Sequence, residues 1–184
     1  MIYPIVVYGS PVLRQIAKDI DARYPDLGKL LADMYETMYT ADGMGLAAPQ
    51  IGKSVRVFVM DATTLEGEDP SLKDFKKAFI NPHIMELNGE SVVMNEGCLS
   101  LPKLREDVDR HNKVRIQYYD ENWKFFDEVH EGLKARIIQH EYDHLNGILF
   151  IDRIPAIRKK LIKGKLNDIT KGKVNIFYKT KLMK

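Results

Sequence analysis

His140 and His144 stand four residues apart in His140-Glu141-Tyr142-Asp143-His144, and this pentapeptide constrains the fold more than any other feature of the chain. Four residues is a little over one helical turn, so the two imidazoles share a face only if the segment is α-helical. Its surroundings agree, because Leu133, Ile137, Ile138 and Tyr142 recur at helical intervals between Glu131 and Leu145. Two imidazoles on one helical face can reach a single metal ion. Glu141, beside the first of them, keeps a carboxylate free to accept a proton from a water at that ion. The bland alternative is a charged surface helix that happens to carry two histidines.

A catalytic site of this kind keeps three protein ligands and one open position. In one arrangement a third histidine follows six residues after the second. Gly147 fits that pattern, but Phe150 occupies the histidine's place. In another arrangement a downstream glutamate completes the set, and no Glu follows Glu141. Asp152 and Asp168 stay open as carboxylate ligands. Upstream, Glu96-Gly97-Cys98-Leu99-Ser100 holds the chain's single cysteine, next to a glycine that lets backbone approach closely. A lone intracellular cysteine is usually a small buried residue. Beside a two-histidine helix, a thiolate ligand is the better account of Cys98.

One cysteine also excludes an intrachain disulfide, so the fold must be held by its core. With 184 residues, 45% of them hydrophobic, the chain has enough apolar material for one domain, taken as 1–184. The apolar run Met1–Val7 lacks a basic flank and is broken by Pro4, which argues against a signal peptide. No stretch approaches the roughly 20 apolar residues of a membrane span. A cytoplasmic protein is expected, with no membrane or DNA partner. The net charge of +2 hides an asymmetry, since Arg153–Lys184 carries eleven of the 28 basic residues and a single acid, Asp168. A basic segment, 153–184, on an acidic body suits a polyanionic partner, or simply a solvated helix face.

Along the chain, Leu27, Leu30, Leu31, Met34 and Met38 predict a helix from Pro25 to about Tyr39. Asp42–Gln50, with Gly43, Gly45 and Pro49, reads as a loop, and Val55–Met60 as a buried strand. The polar stretch Asp61–Lys77 reads as a surface excursion. Short strands are expected at Ala78–Ile80, Ile84–Leu87, Val92–Met94, Val114–Tyr119 and Phe125–Val129. Hairpin turns are expected at Asn88-Gly89 and Asp120-Glu121-Asn122. A last helix is expected from Pro155 to about Ile169. The class is α+β: short, mostly antiparallel strands around a central His-bearing helix, with one helix toward each terminus.

Three segments together carry a resemblance. Gly43-Met44-Gly45-Leu46-Ala47-Ala48-Pro49-Gln50, Glu96-Gly97-Cys98-Leu99-Ser100 and Gln139-His140-Glu141-Tyr142-Asp143-His144 match, in order, the three motifs of peptide deformylases. The chain resembles the bacterial class with a helical C-terminus over nearly its whole length. It departs in a longer polar excursion at 61–77 and a short extra tail after Gly172. The resemblance implies removal of the formyl group from N-formylmethionyl nascent peptides, with release of formate. It implies Cys98, His140 and His144 as ligands of one Fe2+ ion, a site that Zn2+, Ni2+ or Co2+ can also fill. It implies Glu141 as the proton carrier, and the Gln50 side chain with the Leu99 backbone N–H as partners of the developing oxyanion. Gly43, Met44, Gly45, Met94, Gly97, Leu133 and Ile137 fall at substrate-binding positions. Arg136 falls where relatives often have an apolar residue and is expected to shape the pocket rim, Glu96 and Arg110 are expected to pair and brace the Cys98 loop, and the basic tail is expected to dock on the ribosome. Two rivals remain: a zinc endopeptidase using Asp152, and a non-enzymatic ribosome-associated or RNA-binding metal protein.

Overall fold

The computed structural model describes residues 1–67 and 69–183. Its elements run β1 (Ile5–Val6), α1 (Leu27–Thr40), β2 (Gly45–Ala47), β3 (Val57–Asp61), β4 (Lys76–Cys98), β5 (Leu101–Tyr119), β6 (Phe125–Glu131), α2 (Gly132–Leu145), α3 (Ala156–Thr170) and β7 (Thr180–Lys181). Five antiparallel strands form one sheet in the order β2-β3-β4-β5-β6, and β1 pairs with β7 in a separate parallel ribbon. The α+β class and all three expected helices are present, the helix bounds moving by at most a residue or two.

The chain places apolar residues on both sides of β3, and each side meets a different helix. Phe58 and Met60 turn toward α2, where they join Phe79, Val114, Ile116, Tyr118, Ala135, Ile138 and Leu145. Val57 and Val59 turn toward α1 and meet Leu30, Leu31, Met34 and Met38. Strand alternation therefore sends one short run into two cores. Phe58 stacks on Phe79 with ring centroids 4.4 Å apart, and Phe79 on Tyr118 at 4.3 Å. A third cluster lies under α3, where Ile162, Leu166 and Ile169 cover Leu101, Leu104 and Val108 of β5.

Several strand and loop expectations need correction. Ala78–Ile80, Ile84–Leu87 and Val92–Met94 are pieces of one strand, β4, interrupted by register shifts rather than turns. Asn88-Gly89 is not a hairpin turn. The positive φ of Gly89, 76°, falls at an irregularity between Asn88 and Ser91 while the strand runs on. The turn that joins β4 to β5 is Leu99-Ser100. The strand at Val114–Tyr119 begins much earlier, at Leu101. Within Asp42–Gln50, residues Gly45–Ala47 pair with β3 and only the remainder is loop or 3-10 turn. The stretch 61–77 is less superficial than its polarity suggests, because Ala62, Leu72 and Phe75 are buried in the core under α2. The hairpin after Asp120 is as expected, closed by Asp120 N–H on the Lys124 carbonyl at 3.0 Å.

Candidate metal and formyl-hydrolysis centre

One face of α2 looks onto a cleft of about 400 Å³, and Leu133, Arg136, Ile137, His140 and Glu141 all line it. These positions follow the helical repeat, as does the opposite stripe of Ala135, Ile138 and Leu145 that seats the helix on the sheet. Gly132 opens the helix with φ 61°, a value that glycine adopts without a Cβ penalty, so the chain turns directly from β6 into α2.

The β4–β5 turn delivers Cys98 to this helix. One ligand atom each from Cys98, His140 and His144 lies within 4.8 Å of the other two. Cys98 Sγ is 3.2 Å from His144 Nε2. Soft sulfur and two imidazoles suit a transition metal or zinc, and three protein donors leave a position open for water and substrate. Burial opposes charge on His140, and the Cys98 sulfur and Glu96 carboxylate beside it outweigh burial and hold its pKa well above the ordinary value. Burial and the neighbouring His140 drive His144 well below.

Asp152, the alternative third ligand, is engaged elsewhere. It pairs with Arg14 at 2.5 Å and accepts the Leu149 N–H at 2.8 Å. Asp168 is exposed on α3. Neither belongs to the ligand cluster.

A chain of buried charges fixes α2 against the β4–β5 hairpin. Glu96 accepts from His140 Nδ1 at 2.9 Å, from Arg110 Nε at 2.6 Å and Nη2 at 3.0 Å, and from Arg136 Nη1 at 2.8 Å. Arg110 also donates to Asp143 at 2.7 Å, and Asp143 accepts from Arg153 at 2.6 Å. Glu96 and Arg110 therefore pair as the resemblance implied. Arg136 lines the cleft as the resemblance implied, while its buried guanidinium turns inward to Glu96 and to the Val108 and Val92 carbonyls. Burial alone would raise the Glu96 pKa, and the hydrogen bonds from His140 and Arg110 reverse that, holding the carboxyl far below its usual range.

Glu141 sits 4% exposed, and among the described residues its Oε2 has no hydrogen-bond partner. Burial pushes its pKa up to about 7, while the charges of His140 and Arg110 oppose the rise. The buried Gln50 side chain accepts the Ala47 N–H at 2.8 Å. Its amide nitrogen is 3.3 Å from Ser100 Oγ and 3.5 Å from Cys98 Sγ. Leu99, half-buried, and Gly97 line the same cleft. Met44 and Met94 lie at its mouth, 38% exposed each, and Ile137 is buried in its floor. Gly43 and Gly45 are present for an identifiable reason. A Cβ on Gly45 would stand 2.5 Å from Glu141 Oε1, and one on Gly43 would stand 2.8 Å from Leu99 Cδ1.

A family model for polypeptide deformylase matches residues 2–160. The chain belongs to this family. It is 51% identical to a peptide deformylase of Christiangramia forsetii over 97% of this chain and 95% of the relative. It is 44% identical to one of Thermotoga petrophila over 92% of this chain and 97% of the relative. A crystal structure of a peptide deformylase from Legionella pneumophila superposes with a TM-score of 0.82 at 36% identity, covering 96% of this chain and all of that one. A Synechococcus elongatus deformylase in complex with actinonin gives 0.77 at 40% identity, covering 93% and 87%. The protein is a metallohydrolase that removes the N-formyl group from nascent polypeptides.

The sequence reading missed the β5 side of the cleft, where Pro102, Lys103 and Arg105 line it, and one residue of the tail. Tyr178 lines the cleft and donates its hydroxyl to the Leu99 carbonyl at 2.9 Å. It lies in the tail after Gly172, where no periodicity or motif marks it.

Proposed function

We propose that Cys98, His140 and His144 hold a single Fe2+ ion, with Zn2+, Ni2+ or Co2+ able to fill the same place, and that Glu141, Gln50 and Leu99 carry the deformylation chemistry. The observation behind this reading is the convergence of one thiol and two imidazoles within 4.8 Å, with Glu141 buried beside them. A cation on these ligands would acidify a water and polarise the formyl oxygen.

Glu141 accepts the proton of the attacking water as the new C–O bond forms at the formyl carbon. Its unpartnered Oε2 is the available base, and burial keeps it basic enough to act near neutrality. Negative charge then grows on the formyl oxygen. The Gln50 amide and the Leu99 N–H donate to it, and a donor of this kind is worth about 10²-fold to 10³-fold in rate. Glu141 returns the proton to the leaving amine, the C–N bond breaks, and formate and a free N-terminal methionine depart. Met44, Met94, Leu133 and Ile137 make an apolar receptacle for the methionine side chain. Gly43, Gly45 and Gly97 let an extended peptide backbone approach its walls.

The whole chain 1–184 is read as one deformylase domain acting in the cytoplasm. Among the described residues no helix is long and apolar enough to cross a membrane. The basic segment 153–184 is proposed to bring the enzyme to the ribosome, through the exposed Lys159, Lys160, Lys163 and Lys165 of α3. Charge reversal at Lys160 and Lys163 that left ribosome association unchanged would remove that part of the reading. For the centre itself the test is metal analysis of protein purified without oxygen, together with formate release from formyl-Met peptides. Cys98→Ala should lose both; retained metal and turnover would overturn the ligand set.

A further inference from the structure

The tail beyond α3 folds back onto the active site. Ile5 N–H donates to the Lys179 carbonyl at 2.9 Å and Val7 N–H to the Lys181 carbonyl at 3.0 Å, which makes the β1–β7 ribbon. Met183 N–H closes the far end on Ser10 Oγ at 2.9 Å. Between α3 and this ribbon, Tyr178 enters the cleft and donates to the Leu99 carbonyl at 2.9 Å. The family model stops at residue 160, so Tyr178 lies beyond the matched segment while Leu99 lies within it.

We propose that Tyr178 is a positioning residue for deformylation, acting through Leu99. This inference rests on the reading of the Leu99 N–H as an oxyanion donor. A hydrogen-bond donor accelerates a reaction only if it is already aimed where charge will develop. Leu99 sits in a two-residue turn, where its N–H direction depends on the two peptide planes around it. Tyr178 fixes the Leu99 carbonyl from the tail, and Tyr8 N–H fixes the Ser100 carbonyl at 2.9 Å from the β1 side. Gln50 holds Ser100 Oγ at 3.3 Å from within. The turn is thus held from three directions, two of them belonging to the strands or flanks of the β1–β7 ribbon. Its tilt is set by the tail as much as by the hairpin.

Tyr178→Phe tests this, because it keeps the ring and removes only the hydroxyl. The expected result is kcat lower by about fivefold to tenfold, the worth of one hydrogen bond, with KM for a formyl-Met peptide unchanged. Values are taken per metal-loaded molecule. Hydrogen exchange of the 97–101 segment should quicken in the same variant, a readout independent of turnover, while exchange in α2 stays as it is. Tyr178→Leu should lose as much kcat as the Phe variant and more thermal stability. Wild-type kcat in Tyr178→Phe, or unchanged exchange at 97–101, would overturn the proposal. Failure of the wild-type enzyme to release formate from formyl-Met peptides would instead overturn the reading of the site on which it rests.

Discussion

The Nδ1 of His140 lies 2.9 Å from Oε2 of Glu96, and that carboxylate also receives Arg110 and Arg136. The contact leaves Nε2 as the only ring nitrogen of His140 free to bind a metal, and it fixes the ring plane. Arg110 then carries the link to Asp143, one residue before His144. A residue of the cysteine loop and a residue of the histidine helix are thereby tied through one guanidinium.

Glu96→Ala is expected to weaken metal binding by about 10-fold to 100-fold. It should also destabilise the fold by about 3–5 kcal/mol, because two buried guanidinium groups lose their shared partner. Chelator competition and thermal unfolding measure the two effects separately. Wild-type values in both would show that the buried network does not brace the ligands.

Cys98 and Glu141 should fail in different ways. On the proposed roles, Cys98→Ala takes away one ligand, so metal content and turnover should fall together. On the same roles, Glu141→Gln keeps the three proposed ligands and takes away the proposed base, so metal should be retained while kcat drops by about 10²-fold to 10⁴-fold. Stoichiometric metal analysis beside formate release distinguishes the two outcomes, and metal loss in Glu141→Gln would contradict its assignment as a base.

The helix α2 and the shared face of His140 and His144 could be read from sequence because the helical repeat, the two histidines and the apolar stripe all state the same periodicity. The β5 strand before Val114 could not. Leu101, Leu104, Glu106, Val108 and Arg110 alternate with exposed Lys103, Arg105, Asp107 and Asp109, yet two of the buried positions are charged and Pro102 interrupts the start. A hydrophobic alternation rule sees no strand where half the inward side chains near the centre are ions satisfied by partners elsewhere in the chain. Gly89 misled for the opposite reason: Asn-Gly is a strong local turn signal, and here a bulge uses the same backbone freedom. Tyr178 meets Leu99 across 79 residues, a contact only the folded tail can create.

His130 should give the protein an acid-sensitive step outside the metal centre. It is buried at 8% exposure with Phe75 edge-on to its ring, and burial lowers its pKa against the pull of Glu128. A histidine with a folded pKa below its unfolded value binds fewer protons in the native state. Its contribution is therefore present above about pH 6.5, the unfolded value, and is lost as pH falls below that toward the folded value. Replacing it with Phe should flatten the fall of the thermal midpoint between pH 7 and pH 5 relative to wild type. Parallel curves for the two proteins would show that this imidazole does not contribute.

Gly45 offers the sharpest test of how the strand and the helix divide the site. Its φ lies outside the left-handed region, so alanine meets no backbone penalty there. The obstacle is Glu141: an added Cβ would stand 2.5 Å from Oε1 and 2.8 Å from both Cγ and Cδ. Relief of the contact would have to move the Glu141 Cγ as well as its carboxylate, and with it the position of the base. Gly45→Ala should therefore displace the base while leaving Cys98, His140 and His144 in place. Metal content is expected to stay stoichiometric and kcat to fall by about 10²-fold, near the lower bound for losing a positioned general base. Gly164→Ala serves as the control, since its Cβ meets nothing within 4 Å on α3. That change should leave kcat alone and raise stability by about 0.5–1 kcal/mol. Equal activity in the two variants would mean that Glu141 can relax without cost, and the close approach of β2 would then be a feature of packing rather than of catalysis.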